Sequence, residues 1–245
     1  MAIFKILIYT PLYNALVAII AFVPGHNLGL AIIILTIFVR VVLFPLGHKA
    51  AKSQFALKMI EPEINKIKED FKGNKEEQAK KTFEVYKKHK INPFSGCLMA
   101  LIQLPIIISL YYVFLSGLQT LDQSSIYSFV SIPDVVNLKF LGITDITSKS
   151  LALAILAGVS QFIQAILSPA SKTIPKSGNN NSFSDNLSRS LSIQMKYFLP
   201  VMIFFFAYQT SAALALYWTI SNIFTIAQEM IVKRQINAKH GLLTQ

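Results

Sequence analysis

Apolar and polar positions alternate along this chain in long blocks, a pattern typical of helices that cross a bilayer. A spanning helix needs about 20 predominantly apolar residues. The pattern predicts five core spans, at residues 28–46, 97–118, 150–167, 197–209 and 211–232. The last two belong to one apolar run, from Tyr197 to Val232, which is too long for one helix and breaks near Gln209.

Residues 1–23 form a further apolar segment that allows two interpretations. Tyr9, Tyr13 and Asn14 give it a polar, aromatic side, and aromatic rings are enriched at headgroup depth. We therefore expect an interfacial helix along the membrane surface, with a spanning helix as the alternative. We expect no cleavable leader, because no clean cleavage pattern and no lipid-modified cysteine stand near the start.

Residues 48–91 have a different character, because lysines alternate there with Glu and Asp. Apolar residues such as Phe55 and Phe83 recur at helical spacing, and Gly73-Asn74 marks a turn. The segment predicts a charged helical hairpin of two antiparallel amphipathic helices outside the lipid. Most of its lysines are expected simply to form a solvated face.

The distribution of basic residues predicts one topology. A lysine-rich loop between spans stays in the cytoplasm, which places the 48–91 hairpin there. Alternation of the spans then puts the Ser- and Asn-rich loop at 168–196 and the basic tail at 233–245 inside as well, and the nearly charge-balanced loop at 119–149 outside. Every basic segment thus lies on the cytoplasmic side.

Composition agrees with a multi-pass membrane protein and argues against an enzyme. Charged residues make up 14% of the chain, whereas soluble domains contain about 25%, and the mean hydropathy is +0.50. Cys97 is the only cysteine, which excludes an internal disulfide and a cysteine-rich metal site. Phosphate-binding glycine loops, nucleophile elbows and zinc-like histidine spacing are missing, so we predict no cofactor and no catalytic residue.

Arg40 lies inside the first core span. It follows Leu28 by twelve residues, or about 18 Å of helix at 1.5 Å per residue, within a hydrocarbon core of about 30 Å. One interpretation is a side chain that reaches the nearer interface. The other is a guanidinium that faces a water-filled cavity, because an intramembrane charge is costly and commonly marks a functional site.

Other polar residues lie at predicted membrane depth, namely Gln103, Gln161, Gln164, Ser221 and Asn222. Each could be a structural hydrogen-bonding residue between helices; together with Arg40 they suggest a hydrated interior. No Asp or Glu lies deep in a predicted span, and Glu229 is near the end of the last one. This weighs against a cation carrier.

Four segments, in this order and at these spacings, resemble the YidC/Oxa/Albino family of membrane-protein insertases. They are T-I-F-V-R-V-V-L-F-P at 36–45, N-P-F-S-G-C-L at 92–98, L-I-Q-L-P-I at 101–106 and L-Y-W-T-I-S-N at 216–222. The resemblance covers residues 9–234, and we expect no counterpart of the large outer domain that some relatives have.

The resemblance implies an all-α integral membrane protein with five core transmembrane helices around a hydrophilic groove, which is open to the cytoplasm and the lipid and closed toward the outside. An interfacial helix precedes the core, and the hairpin is cytoplasmic. Arg40 matches the arginine that lies in this groove, and Gln161 and Trp218 match its lining. The candidate groove residues are Arg40, Gln103, Gln161, Gln164, Trp218, Ser221 and Asn222.

The implied function is insertion and folding of nascent membrane proteins in a bacterial inner or plasma membrane, alone or with the Sec translocon. The expected partners are client chains, the lipid bilayer and the ribosome, whose anionic RNA suits the basic segments; no specific DNA binding is expected. Two alternatives stay open. A small channel or anion transporter would use Arg40 as its selectivity charge, and a structural scaffold would tolerate the loss of Arg40.

Overall fold

The computed structural model describes residues 2–115, 125–133, 135–169 and 193–243. These residues are almost entirely helical, so the predicted all-helical class is confirmed. The α-helices are α1 (Ala2–Phe4), α2 (Thr10–Phe22), α3 (Leu28–Val42), α4 (Phe44–Met59), α5 (Glu61–Asp70), α6 (Lys75–Lys88), α7 (Ser95–Leu115), α8 (Leu151–Leu167), α9 (Leu199–Gln209) and α10 (Ala212–Leu243). Two π-helical turns, Lys5–Tyr9 and Gln194–Phe198, lead into α2 and α9.

Several predicted segments lie partly outside the described residues. They are residues 116–118 of the second predicted span, 119–124 and 134 of the predicted outer loop, and 170–192 of the predicted loop at 168–196. Residue 1 and residues 244–245 at the two ends lie outside as well.

The first core helix is shorter than the predicted 28–46 span, because the chain bends at Leu43. α3 ends at Val42, and α4 leaves it at an angle of 64°. Pro45 at the start of α4 has no N–H to continue the ladder of α3. Arg40 therefore lies in the last turn of α3, where the helix dipole favours a cation.

The charged segment contains three helical pieces rather than the two expected. α4 runs through to Met59, and α5 and α6 then pack antiparallel around the turn at Gly73, whose φ is +105°. Glu63 of α5 accepts hydrogen bonds at 2.9 Å from His89 Nε2 and at 3.0 Å from Lys88 Nζ. These two partners hold the pKa of the Glu63 carboxyl below its ordinary value.

One end of the helix bundle is closed by residues 135–150, and we call it the capped end. Strands β1 (Lys139–Phe140) and β2 (Thr144–Asp145) form a small antiparallel ladder there. Backbone N–H groups of Leu28 and Ala213 donate to the carbonyls of Asn137 and Ile146, at 3.0 and 2.8 Å. The first turns of α3 and α10 are thereby joined at this end.

The opposite end, called the hairpin end, is where α3 gives way to α4 and where α8 finishes. The Gln228 side chain of α10 donates a hydrogen bond of 2.9 Å to the carbonyl of Phe44, and the Phe44 and Phe224 rings meet edge to face with centroids 6.3 Å apart. α4 is therefore packed on α10 before the chain continues into α5 and α6.

The hydrophobic core lies nearer the capped end and is formed mainly by α2, α3, α7, α8 and α10. Its largest fully buried side chains include Leu16, Ile20, Leu28, Ile32, Leu35, Leu110, Ile146 and Leu214. Glycine at position 29 permits this packing, because a Cβ there would overlap the ring of Phe140. Ile146 caps the core with no exposed surface.

Length and composition alone identify few spanning helices among the described residues. Lys5–Phe22 is long and apolar enough, and the Leu28–Val42 and Phe44–Met59 pair qualifies only if its 64° bend is disregarded. Leu98–Val113 and Leu151–Leu167 are apolar but shorter. The arrangement of five core spans is therefore not established by helix length.

Candidate functional site

Arg40 is partly buried between helices and approaches Tyr217. Its guanidinium lies close enough to the Tyr217 hydroxyl of α10 for an electrostatic interaction. Among the described residues, no carboxylate forms a salt bridge with it. A charge removed from bulk water without a counter-ion is costly, so this guanidinium needs water or an anionic partner from outside the described chain.

Gln103 lies in the middle of α7 and meets the same tyrosine. Its amide nitrogen donates a hydrogen bond to the Tyr217 hydroxyl, and Tyr217 itself is only 2% exposed. Tyr217 thus connects the α7 amide with the α3 guanidinium. We call these three residues, Arg40, Gln103 and Tyr217, the Arg40 cluster.

A second group of polar side chains lies between α8 and α10. Trp218 Nε1 donates to Gln161 Oε1 at 3.0 Å, Gln161 donates to Gln164 at 3.3 Å, and Gln164 donates to Glu229 Oε1 at 3.4 Å. As predicted from their spacing, the two glutamines share one face of α8. The result is a chain of amide hydrogen bonds that leads toward the hairpin end.

Asn222 lies at the same interface between α8 and α10, one helical turn after Trp218. Its Nδ2 donates to Ser160 Oγ at 3.0 Å, and Ser160 in turn donates to the carbonyl of Ala157 at 2.9 Å. Both side chains are buried. The polar residues between α8 and α10, Ser160, Gln161, Gln164, Trp218, Asn222 and Glu229, are called the Gln161 cluster.

The structure therefore divides the predicted groove residues between two faces of α10. Tyr217 and Ser221 are four residues apart and share the face toward Arg40, whereas Trp218 and Asn222 share the face toward α8. Adjacent residues on a helix are rotated by about 100° at 3.6 residues per turn. Ser221 is buried at 2% exposure one turn after Tyr217.

Three residues of these clusters are not among the sequence-predicted site residues. Tyr217 is adjacent to Trp218, and its position four residues before Ser221 could have identified it. Ser160 is adjacent to Gln161 on α8. Glu229 lies eleven residues after Trp218, on the same helix face; the sequence places it near the end of the last predicted span.

The two clusters carry no arrangement suited to a metal ion. The described residues contain no group of three or more His, Cys, Asp or Glu side chains placed to hold one. What the clusters offer instead is one cation, one carboxylate and several amide and hydroxyl groups. These can form hydrogen bonds and ion pairs with a polypeptide.

Comparison with known proteins gives a consistent family assignment. The sequence profile of the 60Kd inner membrane protein family matches residues 19–239. The protein named "Membrane protein insertase YidC" from Clostridium tetani is 29% identical over 218 residues, which are 89% of this chain and 86% of that protein.

A protein of the same name from Francisella tularensis subsp. novicida is 32% identical over 216 residues. That match covers 87% of this chain but 34% of the relative, so this chain spans about a third of the Francisella protein. The names describe an insertase rather than an enzyme. The resemblance drawn from the sequence motifs is confirmed, and the chain belongs to the 60Kd inner membrane protein family, which includes the YidC insertases.

Proposed function

We propose that this protein inserts nascent membrane proteins into the bilayer through a hydrophilic groove that contains Arg40. The observation that carries the proposal is the Arg40 cluster. A partly buried guanidinium has no described counter-ion, yet the Tyr217 hydroxyl of α10 lies near it and accepts a hydrogen bond from Gln103 of α7. Such a site is suited to polar or acidic segments of a client chain. The insertase names of the relatives support the same activity.

The proposed groove is formed by five core spans, at residues 28–46, 97–118, 150–167, 197–209 and 211–232. The polar clusters lie beside α3, α7, α8 and α10, so side chains from four of these spans would line it. The dry, capped end supports a groove that is closed on that side. The groove is then open toward the hairpin end.

The orientation follows from the basic segments. Lysine-rich segments next to spans stay in the cytoplasm, so the 48–91 hairpin, the loop at 168–196 and the 233–245 tail face inward. The capped end then faces outward. The family is one of inner membrane proteins, which supports a bacterial cell membrane as the location.

The N-terminal helix is proposed to lie across the outer face. Asn14, in the middle of α2, donates to the Ser125 carbonyl at 2.9 Å and accepts from the Tyr127 N–H at 2.7 Å. The end of α2 leads into Asn27, which donates to the Lys139 carbonyl at 2.9 Å. α2 at Asn14 and the connection that follows α2 at Asn27 are thus hydrogen-bonded to loop residues. This favours the interfacial placement, although Lys5–Phe22 is long enough to span.

The physical role of the groove is to shorten the distance over which a client segment is without water. Moving an unpaired polar group into hydrocarbon costs several kcal/mol. A wet groove that reaches partway across reduces the dry distance, and Arg40 attracts acidic or polar client residues into it. The apolar client helix can then leave into lipid along α8 and α10, with neither nucleotide nor metal.

The basic hairpin and tail would meet the ribosome, because ribosomal RNA is anionic. Cooperation with the Sec translocon is compatible with this scheme, in which the groove acts alone or receives helices from another channel. No specific DNA contact is involved.

Reconstitution tests the proposed function against its main alternative. Purified protein in liposomes should integrate a purified single-span client and should not conduct ions when no client is present. Anion conductance without client integration would instead identify a small channel or anion transporter. Liposomes without the protein give the background for both measurements.

A further inference from the structure

Glu229 is a buried carboxylate that the scheme above does not use. It lies on α10 at the hairpin end and is 8% exposed. Its Oε1 accepts hydrogen bonds from Ser168 Oγ at 3.2 Å and from Gln164 Nε2 at 3.4 Å. Both donors are neutral, so the carboxylate gains hydrogen bonds from them but no counter-charge.

The second oxygen of this carboxylate has no partner among the described residues. Oε2 is buried and accepts no hydrogen bond there. The cation one helical turn later, Lys233, is exposed and forms no salt bridge with it within the described chain. A buried carboxylate without a cation is strongly disfavoured. Among the described residues, Oε2 therefore lacks the counter-charge that would stabilise it as a carboxylate.

Glu229 and the Arg40 cluster lie at different depths along α10. Tyr217 and Glu229 are twelve residues apart on α10, which corresponds to about 18 Å along the helix. Tyr217, with Arg40 beside it, is nearer the capped end, and Glu229 is at the hairpin end. Arg40 of α3 thus meets α10 closer to the capped end than the Glu229 carboxylate does, and that carboxylate lies nearer the proposed cytoplasmic side.

We propose that Glu229 binds the Lys or Arg residues on the cytoplasmic flank of a client helix. Membrane proteins keep an excess of Lys and Arg in their cytoplasmic loops, so this flank arrives at the end where Glu229 lies. Arg40 would hold the acidic or polar part of the same client. The inference rests on the proposed insertase function and adds a charge-based preference for client orientation.

The test uses two purified single-span clients that differ only in the cytoplasmic flank, one with two lysines and one with two glutamines. The wild-type protein in liposomes should integrate the lysine client more efficiently. Glu229→Gln keeps the size of the side chain and removes its charge. It should lower integration of the lysine client about tenfold, the scale of a hydrogen bond to a charged group, and leave the glutamine client unchanged.

Three control variants separate charge from structure. Glu229→Asp should retain the preference for the lysine client, because the carboxylate remains. Glu69→Gln removes an exposed carboxylate on α5 and should have no effect. Glu229→Lys should reverse the preference when the client carries two glutamates in place of the lysines.

The possible outcomes distinguish a failure of this inference from a failure of the proposed insertase function. An equal loss for both clients in Glu229→Gln would mean that the side chain is structural, and it would overturn the inference. No loss for either client would mean that a cation of this chain's own occupies Oε2, which also overturns it. Failure of the wild-type protein to integrate any client would contradict the proposed function instead.

Discussion

The two ends of the helix bundle are built from the same helices but have opposite chemistry. At the capped end, Leu28 and Ile32 of α3 and Leu214 of α10 are at most 1% exposed and pack around Ile146. On α3, Arg40 lies about two turns beyond Ile32, and on α10, Tyr217 lies about one turn beyond Leu214. The Arg40 guanidinium and the Tyr217 hydroxyl are close enough to interact electrostatically. Polarity therefore changes along each helix axis as well as around it.

This difference suggests how a protein can admit water into a membrane without conducting. The capped end needs tight packing, and glycine at position 29 allows the ring of Phe140 to approach the backbone of α3 closely. The polar end needs groups that stay hydrated. A helix that was amphipathic along its whole length would line a pore through the membrane. A helix whose polar residues stop partway lines only a groove.

The largest expected effect is the loss of stability caused by truncating a core side chain at the capped end. Ile146→Ala removes a fully buried side chain, and such a truncation lowers the free energy of unfolding by about 2–5 kcal/mol. Ile143→Ala is the matched control, because Ile143 follows Phe140 in the same turn and is 86% exposed; its effect should be within about 0.5 kcal/mol. Unfolding in mixed micelles measures both, and equal effects would contradict a packed cap.

The next largest effect is on client integration and comes from replacing Arg40. Arg40→Ala should reduce integration of a single-span client with an acidic outer tail by about tenfold or more, because it removes a charged hydrogen-bond donor. Arg40→Lys should largely preserve integration, since the positive charge remains. The measurement is protease protection of the client tail in proteoliposomes.

The fold should survive these substitutions at Arg40, because no described residue forms a salt bridge with its guanidinium. Normal integration by Arg40→Ala would remove the electrostatic step from the mechanism. A loss that is equally large for a client with a neutral tail would assign Arg40 a structural role.

A smaller effect on stability is expected at the interface between α8 and α10, where Trp218 and Gln161 are hydrogen-bonded. Trp218→Phe removes the N–H that donates to Gln161 Oε1 at 3.0 Å and keeps an aromatic ring near Phe206. Interhelical hydrogen bonds in membranes average about 0.6 kcal/mol. A double-mutant cycle with Gln161→Leu should give a coupling free energy of that size, and a coupling near zero would mean that the two groups do not interact.

The smallest effect is expected in the hairpin, outside the bundle. Glu63→Gln loses the pairing with His89 and Lys88, and hydrogen exchange in α5 and α6 should become about two-fold faster, as expected for a surface pair. Glu69→Gln on the same helix is the control.

The sign of the pH dependence follows from the lowered pKa of the Glu63 carboxyl. The contribution of the pair is present above the unfolded value, about 4.3, and is lost as the pH falls through the lower folded value. The wild-type protein and Glu63→Gln should therefore converge in acid. A difference that persists there would contradict the pairing.

Much of this fold and part of the site could be predicted from the sequence. The apolar blocks indicated the helices, and Arg40 was recognisable because a charge is rare in such a block. Turn residues indicated the break at Gly73 and the one near Gln209, where α9 ends. These features are local, and each depends on a few neighbouring residues.

The features that could not be predicted depend on contacts between helices. The bend after Val42 precedes Pro45 because α4 must turn to pack on α10 through Phe44 and Gln228. The division of the polar residues into two clusters depends on how α10 is rotated relative to α3 and α8. The sequence places Glu229 near the end of the last predicted span, whereas α10 continues to Leu243. The contact of Glu229 with Ser168 depends on the packing of α8 against α10.

Thiol accessibility is the measurement that tests the half-open groove most directly. Gln103 and Leu110 are seven residues apart on one face of α7; the first belongs to the Arg40 cluster, and the second is a core residue at 2% exposure. In a Cys97→Ser background, a cysteine at position 103 should react with a membrane-impermeant maleimide from the cytoplasmic face alone, and a cysteine at 110 from neither face. Protection of position 103 from both faces, or labelling of position 110 from outside, would contradict a groove that admits water from one side.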